Sequence, residues 1–153
     1  MTEHQEWLKW VDEHMEKRGP GKGSIVLFPD YRPDLCMALA NYLGLDFYDY
    51  RKEEMLDKGW DAGAIPLDSL TETLLARSEQ GGIVAHNVES ILAARSEEER
   101  RQWFESFLHQ NWPNTVIAPS AVFQADVPHE HGNVCDLELL EMPKQSFLIR
   151  LAT

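Results

Sequence analysis

Three short segments carry side chains able to do chemistry. His129-Glu130-His131, followed by Cys135 and Asp136, offers two imidazoles, a thiol and carboxylates within eight positions. Zinc takes such ligands, but structural sites use paired Cys-x-x-Cys spacing and metalloproteases use His-Glu-x-x-His. Neither is present, so a solvated loop with two histidines is the reading preferred to a metal centre. His86-Asn87-Val88-Glu89 places a base and an acid three residues apart; the plain alternative for His86 is a hydrogen-bonded histidine at a strand end. The third segment, Phe28-Pro29-Asp30-Tyr31-Arg32-Pro33-Asp34-Leu35, alternates charge with proline. It reads first as a turn opened by Asp30 and Pro33. Nucleophilic routes are weaker. Cys36 falls inside a helix pattern, where it packs as a small apolar group, and Ser120 lacks a Gly-x-Ser-x-Gly elbow. No catalytic residue and no cofactor are assigned from these segments.

The elements that position them follow from hydrophobic periodicity. Residues 3–17 place Trp7, Leu8, Val11 and Met15 on one helical face, and residues 19–23 read as a glycine-rich linker. Ser24-Ile25-Val26-Leu27-Phe28 is an unbroken apolar run, as in a strand covered on both faces. Pro33 opens a helix running to Leu43, with Gly44 as its stop. Residues 45–50 alternate as a second strand, and polar residues 51–64 read as a loop. A Leu-rich helix occupies 66–79, Ile83-Val84-Ala85 is a third strand, and a helix capped by Ser96 covers 97–110. Val116-Ile117-Ala118 is a fourth strand. After the polar stretch 127–133, residues 137–140 and 147–151 are expected to pair as a terminal hairpin around Pro143.

Strands separated by helices imply an α/β fold of three layers, a mostly parallel sheet with helices on both faces. Ligands of such sheets bind at the carboxyl ends of strands, which directs attention to the residues after Phe28, Ala85 and Ala118. The chain of 153 residues reads as one domain, a leading helix, the linker and a core from 24 to 153. Its 26 acidic and 14 basic residues give a formal charge of −12. That opposes general nucleic-acid binding and attraction to anionic membranes. Apolar runs are shorter than the roughly 20 residues of a membrane span, and the amino terminus lacks signal-peptide character. Two cysteines make no disulfide framework. A cytoplasmic location is expected.

The order of elements resembles a minimal P-loop NTPase domain. The leading helix, first strand and turn, helix 66–79 and fourth strand together resemble the small P-loop protein family of type 3 BREX phage-defence islands. His86-Asn87-Val88-Glu89 is similar to that family's Asp-Asn-Ile-Glu segment, with His in place of Asp, and Val127-Pro128-His129-Glu130 also fits its outline. Nucleotide chemistry needs glycines around the phosphates, a Lys, and a hydroxyl for magnesium. Here the turn has no glycine, Asp34 stands at the Lys position and Leu35 at the hydroxyl position. The resemblance therefore implies a degenerate nucleotide site around Asp30, Arg32, Asp34, His86, Asn87 and Glu89. It implies a non-catalytic adaptor in a multi-protein defence system, partnered by a larger ATPase or a DNA-modifying subunit. Trp7 and Trp10 on the leading helix are the expected docking residues, since Trp is enriched in interface hot spots. A small metal-dependent enzyme using His86 or His129/His131, and an acidic mimic of nucleic acid, are the competing expectations.

Overall fold

The computed structural model describes residues 6–16, 23–56, 59 and 61–137. Helix α1 spans Glu6–Glu16 and leads to strand β1, Gly23–Leu27. Then come α2 (Pro33–Leu43), β2 (Asp46–Asp49), α3 (Leu67–Ser78) and β3 (Ile83–His86). A four-residue α4 (Glu89–Leu92), α5 (Glu97–His109), β4 (Val116–Ser120) and β5 (Val134–Asp136) complete the described chain. The expected linker residues 19–22 and the expected hairpin beyond Leu137 lie outside the described residues. Gly23, assigned to the linker, is instead the first residue of β1.

All described strands pair in parallel, in the order β2-β3-β4-β1-β5. The three-layer arrangement is present, and the alternation of side chains along each strand builds it. Val26, Phe28, Val84, Ile117 and Cys135 point to one face, where Trp7, Leu8 and Val11 of α1 and Leu35, Leu39 and Ala40 of α2 cover them. Ile25, Leu27, Ile83, Ala85, Val116, Ala118 and Val134 point to the other. There Leu70 and Leu74 of α3, Ile91 and Leu92 of α4, and Phe104, Phe107 and Leu108 of α5 bury them. Burial on both faces explains why residues 25–27, 83–85 and 116–118 are apolar at consecutive positions.

Helix ends follow local chemistry. Pro33 occupies the first turn of α2, where its missing N–H costs nothing, and Gly44 ends the helix in the left-handed region at φ 69°. Ser96 and Glu99 form a reciprocal capping box at the start of α5. Residues 51–64, expected as a loop, contain a π-helical turn (Arg51–Leu56) and a short 3-10 turn (Ala62–Ala64). Met55 buries into the core there, and Asp61 accepts the N–H of Gly63 at 2.7 Å. The polar residues around Met55 hide this order from a periodicity reading.

Gly23 is required by close approach. A Cβ there meets the Phe107 ring at 2.7 Å and the Trp112 indole nitrogen at 2.7 Å. Both rings are buried, and Trp112 donates to the Phe107 carbonyl, so neither yields freely. Gly23→Ala is expected to lower stability by about 1–3 kcal/mol through overpacking, read as a reduced midpoint in urea.

Candidate functional site

The chain leaves β1 through α2 toward β2 at one edge, and leaves β4 toward β5 at the other edge. Connections from these two neighbouring strands thus depart in opposite directions, which opens a crevice at their carboxyl ends. A cleft of about 230 Å³ occupies it. The turn after β1 supplies Phe28, Asp30, Tyr31 and Arg32, the end of β3 supplies His86, Asn87 and Glu89, and the end of β4 supplies residues 119–123. The three strand ends singled out in the sequence therefore converge, residues 28–32 with 86–89 and with those after Ala118.

Glu89 dominates the interior. It begins α4, and its carboxylate crosses to the chain leaving β4. One oxygen accepts the Ser120 hydroxyl at 2.9 Å and the Phe123 N–H at 2.7 Å. The other accepts the Ala121 N–H at 2.9 Å and the Val122 N–H at 3.3 Å. A carboxylate has about four lone-pair directions, and all are used. Successive backbone N–H groups in a turn form an anion-binding concavity. In this protein the anion is its own Glu89. Ser120, considered above as a nucleophile, is a buried donor to that carboxylate.

A second network fixes His86. Asn87, in the left-handed region at φ 67° that Asn tolerates, donates its amide to Asp49 at 2.9 Å. The Tyr31 hydroxyl donates to Asn87 Oδ1 at 2.9 Å and lies 3.2 Å from His86 Nε2. Since the Tyr31 proton is committed to Asn87, Nε2 of His86 must be the donor, and Nδ1 of the neutral ring carries the lone pair. The imidazole is 4% exposed and lies between the Tyr31 and Phe47 rings, with centroids 5.5 and 5.2 Å away. Burial lowers its pKa below the ordinary 6.5, with Asp49 and Glu89 opposing. Partial desolvation of its hydroxyl also raises the Tyr31 pKa, so it stays a proton donor at neutral pH.

Linkage gives this burial a consequence. The folded His86 binds its proton less readily than the unfolded one, so its contribution is full above pH 6.5 and is lost as pH falls through the lower folded pKa. Thermal melts from pH 7 downward should show stability falling with acidification. The fall should be shallower in His86→Gln, which removes the group that must charge on unfolding.

The turn after β1 is closed on itself. Arg32 donates to both oxygens of Asp34, at 2.9 and 2.8 Å. This pairing raises the Arg32 pKa and holds the Asp34 carboxyl below its usual range. The N–H groups of Leu35 and Cys36 donate to the Arg32 carbonyl, and that of Phe28 to Ser120. A phosphate needs amides and a cation aimed outward; here the Leu35 and Cys36 amides and the Arg32 guanidinium are engaged with the protein itself. Burial pushes the Cys36 thiol up to about 12, leaving it protonated and inert. The residues present do not fit a nucleoside triphosphate.

The remaining candidates do not join this cleft. His129 Nε2 lies 2.7 Å from the Gln124 carbonyl, and its Nδ1 is 3.7 Å from Asp136. His131 accepts from the Asn133 N–H and packs edge-on to His109, at the end of α5. Cys135 is fully buried on the opposite face, beneath α1 and α2. The sheet thus separates the thiol from the His131 imidazole. Among the described residues no group of three or more His, Cys, Asp or Glu could hold a metal ion. Trp7 is 2% exposed and meets the Phe28 ring edge-on at 6.0 Å, so it belongs to the core rather than to a docking face. Trp10 is half-buried beside His14.

Tyr31, Asp49 and Phe123 escape sequence reasoning. Tyr31 stands in the turn already singled out, between charged neighbours, and its aromatic character was the available signal. Asp49 and Phe123 carry none. No described helix is long and apolar enough to cross a membrane. No protein-family model matches this chain, and comparison with curated proteins gives no match.

Proposed function

We propose that the protein is a non-catalytic interaction subunit on a P-loop-like α/β domain in which the groups at the strand ends that would bind nucleotide are satisfied within the protein. The observation that carries this reading is the saturation of Glu89 by the donors that end β4. The backbone amides best placed to bind an anion are already occupied by a carboxylate that cannot diffuse away. The Arg32–Asp34 pair supports it, since the cation of the neighbouring turn is neutralised within the turn. The strand order supports the P-loop likeness, because β1 lies beside β4 and brings its turn to the same edge as the end of β3. Cleft size agrees, since ligand sites that bury a drug-sized molecule occupy about 300–1,000 Å³. The resemblance to the small P-loop family of type 3 BREX islands extends this to a component of a multi-protein phage-defence system, beside a larger ATPase or DNA-modifying subunit.

Calorimetry with magnesium–ATP tests the first half. No saturable heat is expected at millimolar nucleotide, and a micromolar Kd would overturn the reading. Co-expression with the products of neighbouring genes tests the second half. A stable stoichiometric complex is expected; a chain that purifies alone from each pairing argues against an adaptor role.

A further inference from the structure

The cleft that rejects phosphate has a complementary preference. Most of its side-chain donors are engaged within the protein, the Ser90 hydroxyl being an exception among the described residues. The Ser120 hydroxyl and three amides serve Glu89, the Arg32 guanidinium serves Asp34, and the Tyr31 hydroxyl serves Asn87. Acceptors remain. Asp30 is exposed at the mouth and makes no hydrogen bond among the described residues, although its charge acts on Arg32. His86 Nδ1 carries a lone pair and has no hydrogen-bond partner among them either. The carboxylates of Asp30, Asp34, Asp49 and Glu89 outnumber the guanidinium groups of Arg32 and Arg51 around it, while Arg100, paired with Asp126, lies over one face of the Phe123 ring at 4.4 Å. The rest of the wall is apolar, with Phe28, Pro119 and Phe123 inside and exposed Tyr31 and Val122 at the rim.

We propose that this cleft receives one arginine side chain of a protein partner, its stem against Phe28 and Phe123 and its guanidinium directed to Asp30 and His86. The inference rests on the adaptor reading above and names the chemistry of the partner. A volume of about 230 Å³ suits one long side chain. Guanidinium suits it better than ammonium, being planar, weakly hydrated and able to serve two acceptors at once. The net charge of −12 also favours a basic partner segment. The exposed Tyr31 and Val122 then meet the residues flanking the arginine.

Amide NMR titration with Nα-acetyl-arginine methylamide tests this directly. Saturable shifts are expected at residues 86–89 and 121–123. The citrulline counterpart, equal in shape but uncharged, should bind at least about tenfold more weakly, as loss of charge-assisted hydrogen bonds requires. Asp30→Asn, an exposed substitution outside both buried networks, should weaken the arginine probe several-fold while leaving the spectrum otherwise intact. Equal binding of citrulline, or shifts confined to the acidic surface of α3 and α5, would overturn the proposal. Magnesium–ATP is titrated in parallel. If it moves the same amides, the adaptor reading falls as well; if neither probe moves them, only the arginine proposal falls.

Discussion

Replacing Glu89 by Ala is expected to cost about 3 kcal/mol or more, because several donors lose their partner together and each unsatisfied buried donor costs about 1–3 kcal/mol. The Ser120 hydroxyl is the most demanding, being 1% exposed at the end of β4. The amides of Ala121, Val122 and Phe123 lie nearer the surface, where water relieves part of the loss. The segment they belong to also carries Gln124, which donates to the Phe28 and Ala121 carbonyls. Loosening it therefore disturbs the turn after β1 as well. Glu89→Gln retains one acceptor oxygen but turns an NH2 group toward N–H donors, so a smaller loss is expected. Urea unfolding of the wild type and both variants checks the order. A Glu89→Ala protein as stable as wild type would mean that the carboxylate is not what satisfies those donors.

The leading helix gives the second large effect. Trp7→Ala should lower stability by about 3–5 kcal/mol, as expected for removing a buried indole. Its ring fills the space over Phe28, at the carboxyl end of β1, with Leu8 and Val11 sealing the same face. Trp10, one turn away and half-buried, should cost about 1 kcal/mol on truncation. Denaturation midpoints of the two variants separate these roles. Equal losses would show that α1 packs differently from the geometry described here. Because Trp7 anchors α1 beside the turn that lines the cleft, Trp7→Ala should also broaden the amide signals of residues 28–32.

The architecture was legible where burial decides it. Apolar runs at Ile25, Ile83 and Val116 must be covered on both faces, and the helices between them must cross over a parallel sheet. The ends of α2 and α5 were legible because Pro33, Gly44 and Ser96 each have one strong local preference. Strand β5 was not. Val134 and Cys135 follow the polar stretch 127–133 as a two-residue apolar run, and three residues become a strand only by pairing with β1, a tertiary effect. The four-residue α4 and the π-helical turn are likewise set by what they pack against.

The strand-end rule located the cleft through Phe28, Ala85 and Ala118, yet it could not reveal that Glu89 occupies the amides at the end of β4. That depends on which way a carboxylate turns after β3 and on the amides that β4 presents 31–34 residues later. The histidine–cysteine set shows the converse. His131 and Cys135 are near in sequence, but strand alternation sends Cys135 under α1 and α2 while His131 packs against α5.

Glu89 occupies the anion-binding amides at the end of β4, and the proposed function takes the cleft to serve contact and not nucleotide. That occupancy is tested most directly by following the backbone N–H resonances of Ala121, Val122 and Phe123 while magnesium–ATP is added to the wild-type protein. These resonances are expected to stay in place up to millimolar nucleotide. Saturable movement of all three at micromolar concentration would contradict it, because phosphate would then have displaced the carboxylate.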